Sequence, residues 1–312
     1  MKPEVLQVGP MMPHVEAALN DAYTVHRFWE AADKAALLAE AGPRIQAVAT
    51  DGHNGLKPDI FDALPALEII SSYGVGYDAV DVSACKARNV RVTNTPDVLN
   101  DAMAEITIGL MIALCRRLPQ ADQFVREGKW LNNGFPLTGE LTGAHVGILG
   151  LGRIGGEIAR RLQAFKMRVS YHGRREQAYV PYTYYADLKE MARDVDWLVV
   201  IAPGSPETRG IVSREVMEAL GPNGSLVNVA RGSLVDEIAL VDVLQSGKLG
   251  AAALDVFEEE PKVPEALFEM DNVVLSPHQG SATAKTRGTM GDLVVLNLAA
   301  HFAGDPLLTP VA

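Results

Sequence analysis

Val146-Gly-Ile-Leu-Gly150-Leu-Gly152-Arg153-Ile154-Gly155, running on into Gly156-Glu-Ile-Ala-Arg-Arg-Leu-Gln-Ala-Phe165, decides how the rest of this chain reads. Ile148 and Leu149 close a short apolar run of the kind that forms a buried parallel strand. The run stops at Gly150. Ile154, Ile158 and Leu162 then recur at helical spacing, which marks one buried helix face. A Gly-x-Gly-x-x-Gly therefore stands where a strand turns into a helix. The first glycine, Gly150, permits the tight turn. The second, Gly152, lets a pyrophosphate approach the backbone. The third, Gly155, allows the helix to pack closely on the strand, and the helix N-terminus offers amides and positive dipole to phosphate. The stretch predicts a dinucleotide site.

Working outward, 312 residues leave room for about two domains. The composition, 48% hydrophobic and 21% charged, is that of an ordinary globular protein. A net charge of −11 argues against nucleic acid or an anionic membrane surface as a partner. The two cysteines, Cys85 and Cys115, form no C-x-x-C pair and are too few for a disulfide framework. The N-terminus shows no apolar signal segment, and no stretch is long and apolar enough to span a bilayer. The expected location is the cytoplasm. No His, Cys or Asp cluster has metal-ligand spacing, so no metal is expected.

Short apolar runs alternate with helical patterns on both sides of the glycine turn. Val5–Val8, Ala47–Thr50, Glu68–Ser71 and Val90–Thr93 read as strands before it, with a helix over Ala31–Ala41. A long helical pattern follows Asn100, a second follows Pro119, and Trp130–Thr142 reads as loop. From the glycine turn onward the strands are Val146–Leu149, Arg168–Tyr171, Trp197–Ile201, Leu226–Asn228, Ala252–Leu254 and Val273–Leu275. Ser213 is the expected cap of a helix to Leu220, and Ala282–Phe302 is the last long helix. The fold class is α/β: two doubly wound, Rossmann-like parallel-sheet domains with an active-site cleft between them. Residues 100–286 form the expected dinucleotide domain. Residues 1–99 with 287–312 form a discontinuous substrate domain, to which the apolar tail Leu307–Val311 returns.

An NAD site carries an acidic residue about 20 residues past the glycines, for the ribose 2′-OH. At that distance stands His172, within Tyr171-His172-Gly173-Arg174-Arg175. A carboxylate would repel a 2′-phosphate, whereas an arginine pair offers it charge-assisted hydrogen bonds. Each is worth about 1.5–3 kcal/mol, or roughly tenfold to hundredfold in affinity. NADP is therefore the expected cofactor, as NADPH, with NAD the weaker alternative. Arg174 and Arg175 hold the phosphate and His172 is a candidate neighbour on the adenosine side.

Three polar groups follow later strands. They are Arg231 in Asn228-Val-Ala-Arg231-Gly-Ser, the acids of Asp255-Val-Phe-Glu-Glu-Glu260-Pro, and His278 in Ser276-Pro277-His278-Gln279-Gly280-Ser281-Ala282-Thr283. Ligands of open α/β sheets bind at the carboxyl ends of strands, so Arg231, Glu260 and His278 are candidates to converge there.

With the glycine turn, Val229-Ala-Arg231-Gly232, Leu254-Asp-Val-Phe257, Glu260-Pro261 and Pro277–Thr283, the sequence resembles the D-isomer-specific 2-hydroxyacid dehydrogenases over nearly its whole length. Thr93–Leu99, Tyr171–Arg174 and the ending Pro306–Val311 look most like the glyoxylate/hydroxypyruvate reductases and the plant hydroxyphenylpyruvate reductases. The resemblance implies an NADPH-dependent reductase of small 2-oxo acids. It assigns the substrate's carboxylate and oxo group to Arg231, general-acid duty to His278, and orientation of that imidazole to Glu260. It assigns the backbone of Val75 and Gly76 to the substrate carboxylate, and Asp255 to the nicotinamide carboxamide. Arg153, Ile154, Ala202, Pro203, Thr208, Val229, Ala230 and Gly280 fall at its further cofactor positions. Glu258 and Glu259 read as solvated, and Trp130 as structural or as a wall of the pocket, in related enzymes sometimes that of a neighbouring subunit. Gln279 departs from the usual aliphatic residue.

Two alternatives remain at this level: a reductase of bulkier aryl 2-oxo acids, and a dinucleotide-sensing corepressor-like binding protein. The expected assembly is a homodimer.

Overall fold

The computed structural model describes residues 2–311. In chain order its elements begin with β1 (Glu4–Gln7), α1 (Pro13–Ala22), β2 (Thr24–Arg27), α2 (Lys34–Ala41), β3 (Ile45–Asp51), α3 (Pro58–Asp62), β4 (Ile69–Tyr73), α4 (Val82–Ala87) and β5 (Arg91–Thr93). Then come α5 (Asn100–Cys115), α6 (Leu118–Arg126), β6 (His145–Leu149), α7 (Arg153–Ala164), β7 (Arg168–His172), β8 (Thr183–Tyr185) and α8 (Leu188–Asp194). The chain continues with β9 (Trp197–Val200), α9 (Arg214–Leu220), β10 (Ser225–Asn228), α10 (Glu237–Gln245), β11 (Ala251–Leu254), β12 (Val273–Leu275) and α11 (Ala284–Ala303). It divides into two compact units, Met1–Leu99 with Ser281–Ala312, and Asn100–Gly280.

The first unit holds a five-stranded parallel sheet in the order β2-β1-β3-β4-β5, a doubly wound arrangement. Leu6, Val48, Ile70 and Val92 bury one face. The other takes α1 and α11, whose Val15, Leu19, Met290 and Val294 are buried. The tail runs beside β5, where the Val311 N–H donates to the Val92 carbonyl at 2.8 Å.

The second unit holds seven parallel strands in the order β12-β11-β10-β9-β6-β7-β8. The chain starts at β6, moves outward through β7 and β8, then returns past β6 to continue from β9. The strand order reverses between β6 and β9, and that switch point is where such sheets take a ligand. Every residue of β6 and of β9 is buried, as helices on both faces require. Val146, Ile148 and Val199 pack on one side with α5 and α7, and Leu149, Leu198 and Val200 on the other with α8, α9 and α10. Fully burying Ile158 and Leu162 of α7 contributes about 1.5–3 kcal/mol each.

Strands β2 and β8 are additions to the sequence reading. Both are sheet edges with no buried residue, so neither carries an apolar run. The helix expected over Ala31–Ala41 begins at Lys34, where Asp33 accepts from the Ala36 N–H at 2.9 Å. Ser213 stands at the N-cap of α9 but does not cap it, because its hydroxyl donates to Glu215 instead. Among the described residues no helix is long and apolar enough to cross a membrane, and no group of His, Cys, Asp or Glu is arranged to hold a metal ion. Both cysteines are unpaired.

Candidate active site

The glycine turn joins β6 to α7, and each glycine meets a different surrounding. Gly150 has φ +102°, and a Cβ there would lie 2.7 Å from the Ala202 Cα. A Cβ on Gly155 would lie 2.2 Å from the Gly150 carbonyl oxygen. Around Gly152 a Cβ would meet nothing within 4 Å. Two glycines therefore serve the packing of the turn, and the third leaves room beside the first amides of α7. Arg153 is exposed at the helix start, and Ile154 is half-buried in the core behind it. This is a cradle that fits a dinucleotide pyrophosphate.

Past β7, His172 is half-buried and its Nδ1 lies 2.9 Å from the Tyr185 carbonyl oxygen. Arg174 and Arg175 are exposed, and among the described residues neither guanidinium has a hydrogen-bond or ion-pair partner. No carboxylate occupies the end of β7.

Past β9, Ala202 is half-buried and Pro203 exposed. The Thr208 hydroxyl accepts from the Ser205 N–H and donates to the Pro203 carbonyl at 2.8 Å, so it shapes its own loop. Past β10, the side chains of Val229 and Ala230 are buried, which leaves backbone as what they offer a ligand. Asn228 folds the chain over: its Oδ1 accepts from the Ala230 N–H at 3.1 Å and its Nδ2 donates to the Arg231 carbonyl at 2.9 Å. Arg231 itself donates from Nη1 to the Ala230 carbonyl at 2.8 Å. Its neighbour Gly232 lies so close to Phe257 that a Cβ would stand 1.9 Å from that residue's carbonyl carbon. The loops that carry Arg231 and Glu260 are thereby pressed together.

Past β11 and β12 the geometry is tightest. His278 Nδ1 lies 2.6 Å from Glu260 Oε2, and the other Glu260 oxygen accepts from the Phe257 N–H at 3.0 Å. The carboxylate is 17% exposed and the imidazole 42%, so a half-buried partner holds a ring that reaches solvent. Nδ1 is committed to Glu260, and Nε2 has no hydrogen-bond partner among the described residues. His278 adopts a left-handed backbone, φ +49°, unusual for a residue with a side chain.

Asp255 explains how that backbone is held. It is 1% exposed. Its Oδ1 accepts from the Ser276 hydroxyl at 2.5 Å and the Gln279 N–H at 2.9 Å, and its Oδ2 from the Gly280 N–H at 2.9 Å. Every one of these bonds lies within the histidine loop, a role the sequence reading did not include. Gln279 enters through its backbone amide while its side chain is exposed, so its departure from the usual aliphatic leaves the loop intact. Gly280 has no room for a side chain, since a Cβ would lie 2.6 Å from the Met103 sulfur.

Other contributors also escaped the sequence. Arg209 pairs with Glu258 at 2.6 Å, and Glu237 accepts from the Glu258 N–H at 3.0 Å. Burial and the charges of Glu258 and Glu259 push the Glu237 carboxyl above its ordinary range. Glu258 is thus part of a bonded set rather than a merely solvated face.

The chain matches the model of the D-isomer specific 2-hydroxyacid dehydrogenase NAD binding domain over residues 108–280. It is 48% identical over 307 residues to the hydroxyphenylpyruvate reductase of Plectranthus scutellarioides, covering 98% of each chain. The chain belongs to the D-isomer-specific 2-hydroxyacid dehydrogenase family. It is also 48% identical to glyoxylate/hydroxypyruvate reductase A of Arabidopsis thaliana, again over 98% of both. Among solved structures it resembles the NADPH-dependent glyoxylate/hydroxypyruvate reductase of Sinorhizobium meliloti in complex with NADP and malonate. There the TM-score is 0.95 and the identity 47%, over all of this chain and 97% of the other.

Reductases and dehydrogenases of this family are oxidoreductases that use a nicotinamide dinucleotide, and the open space at Gly152 is the observation here that fits one. In the first unit, the loop after β4 suits an anion on its own terms. The Gly74 N–H donates to the Thr95 hydroxyl, the Gly74 carbonyl accepts from the Thr95 N–H, and the Val75 carbonyl accepts from the Asn94 side-chain amide at 2.9 Å. The Val75 and Gly76 amides donate to no other atom among the described residues.

Proposed function

We propose that this protein is an NADPH-dependent reductase that converts small 2-oxo acids of the glyoxylate and hydroxypyruvate type to D-2-hydroxy acids. The observation that carries the reading is the His278–Glu260 pair at 2.6 Å, past the carboxyl ends of parallel strands whose neighbour β10 leads into Arg231. Bound NADPH supplies a hydride to the carbonyl carbon. His278 donates the proton on Nε2 to the carbonyl oxygen as negative charge develops there. Glu260 fixes the ring through Nδ1 and stabilises the imidazolium as a neighbouring anion. Arg231 provides positive charge for the substrate's carboxylate and oxo group, and the free amides of Val75 and Gly76 hold the same carboxylate. Arg174 and Arg175 take the 2′-phosphate. Dinucleotide binding is assigned to residues 100–286, and substrate binding to 1–99 with 287–312.

The kinship with a hydroxyphenylpyruvate reductase favours a second reading, in which the substrate carries an aryl side chain. One panel tests both: NADPH oxidation with glyoxylate, hydroxypyruvate, pyruvate and phenylpyruvate. Turnover of none of the four overturns the assignment, and a preference for phenylpyruvate selects the second reading.

A homodimer is part of the proposal. Helix α6 buries none of its residues, and Trp130 and Leu131 beyond it are 68% and 89% exposed. Apolar surface of that kind belongs under a partner. Light scattering on the wild type and on Leu131→Glu tests it, since a monomeric wild type removes the dimer. Cytoplasmic residence completes the reading, supported by two thiols that form no disulfide.

A further inference from the structure

The loop that carries Arg174 and Arg175 is fastened at both ends. At its start, the Tyr184 hydroxyl donates to the Gly173 carbonyl at 3.2 Å. At its end, the Gln177 N–H donates to the Tyr171 hydroxyl at 2.7 Å. Tyr171 is 1% exposed, and its ring packs on that of Tyr184 with centroids 5.3 Å apart. Between these fixed points Arg174, Arg175 and Glu176 are exposed.

Gln177 also makes a contact that leaves the loop. Its side-chain Nε2 donates to the Leu151 carbonyl at 2.7 Å. Leu151 stands between Gly150 and Gly152, inside the turn that cradles the pyrophosphate. One side chain thus links the element that takes one anionic group to the element that takes the other. A loop of exposed polar residues ordinarily loses conformational freedom when it closes on a ligand, and fixing it beforehand removes that cost.

We propose that Gln177 is a positioning residue for cofactor choice. It holds Arg174 and Arg175 at a set place relative to the glycine turn, so that a dinucleotide with both a pyrophosphate and a 2′-phosphate is read by both elements at once. The inference rests on the NADPH reading above. NADH has no group for the arginines to hold, so its binding is indifferent to where they sit.

The test uses the full-length protein, with Gln177→Met, which keeps the length and removes the donor, and Tyr171→Phe, which removes the second tie. KM and kcat are measured with NADPH and NADH, and binding of 2′,5′-ADP and 5′-AMP by calorimetry. The expected result is a rise of about threefold to tenfold in KM for NADPH and in Kd for 2′,5′-ADP, the worth of one hydrogen bond. KM for NADH, Kd for 5′-AMP and kcat with NADPH should hold steady. Equal weakening of NADPH and NADH, or no change in either, overturns the inference and leaves the NADPH reading standing. A wild type that binds 2′,5′-ADP no better than 5′-AMP overturns that reading, and the inference with it.

Discussion

The backbone N–H of His278 donates to the carbonyl oxygen of Asp255 at 2.9 Å, which ties the candidate acid to the end of the adjacent strand β11. The Asp255 carboxylate then binds the two amides that follow the histidine. Left-handed backbone at a residue with a Cβ costs about 1–2 kcal/mol, and this set of bonds is what offsets it.

Asp255→Ala should therefore damage both fold and chemistry. It orphans amides at Gln279 and Gly280, each loss costing about 1–3 kcal/mol. Thermal melts should show the destabilisation, and kcat of the protein that remains folded should fall as His278 leaves its place. A destabilised variant with wild-type kcat would show that the bond set does not position the acid.

His278→Ala should lower kcat by about 10²–10⁴, the usual worth of general acid–base catalysis. Glu260→Gln should cost less, because the amide can serve either the Phe257 N–H or the imidazole but not both as an acceptor. The loss should fall on kcat rather than KM. Steady-state kinetics with the best 2-oxo acid of the panel checks both, and a His278→Ala enzyme at wild-type speed removes the proton-donor role.

The Arg174→Ala/Arg175→Ala double variant should raise KM for NADPH by roughly tenfold to hundredfold, with NADH little affected. Both side chains are exposed and unengaged, so folding should be untouched. An unchanged NADPH preference would move the 2′-phosphate site elsewhere.

His145 gives the fold a pH dependence. The ring is 6% exposed at the start of β6, with Nδ1 2.7 Å from the Asp194 carbonyl oxygen and Nε2 2.7 Å from the Ser170 hydroxyl. Burial, reinforced by the Arg168 charge, holds its pKa below the ordinary 6.5. The unfolded chain then takes a proton before the folded one does. Stability from this group is present above about pH 6.5 and is lost as pH falls from there towards the depressed folded value. Calorimetric melts at about pH 7.5 and pH 6 should show a smaller acid loss in His145→Gln than in wild type. Equal slopes would assign the acid sensitivity to other groups.

What the sequence made legible, it did through residue type. Gly150, Gly152 and Gly155 are readable because their backbone positions exclude a Cβ or leave a space for a ligand. Arg231, Glu260 and His278 stand out in the sequence because the proposed proton transfer asks for those side-chain types, and the structure brings His278 and Glu260 within 2.6 Å of each other. Edge strands β2 and β8 left no signal, since exposed strands need no apolar run. The Asp255 bonds and the Gln177 tie were also silent. Both engage backbone atoms, and a carbonyl or an amide looks the same under any side chain.

The glycine turn carries one further consequence. A methyl group at position 155 would collide with the Gly150 carbonyl oxygen, while one at position 152 would meet nothing within 4 Å. Drift at position 155 announces itself in the protein's own integrity. Drift at position 152 stays hidden there, because on the proposed reading the open space beside it serves a cofactor the chain does not encode. On that reading a lineage can lose its chemistry at that one position and still inherit an intact protein.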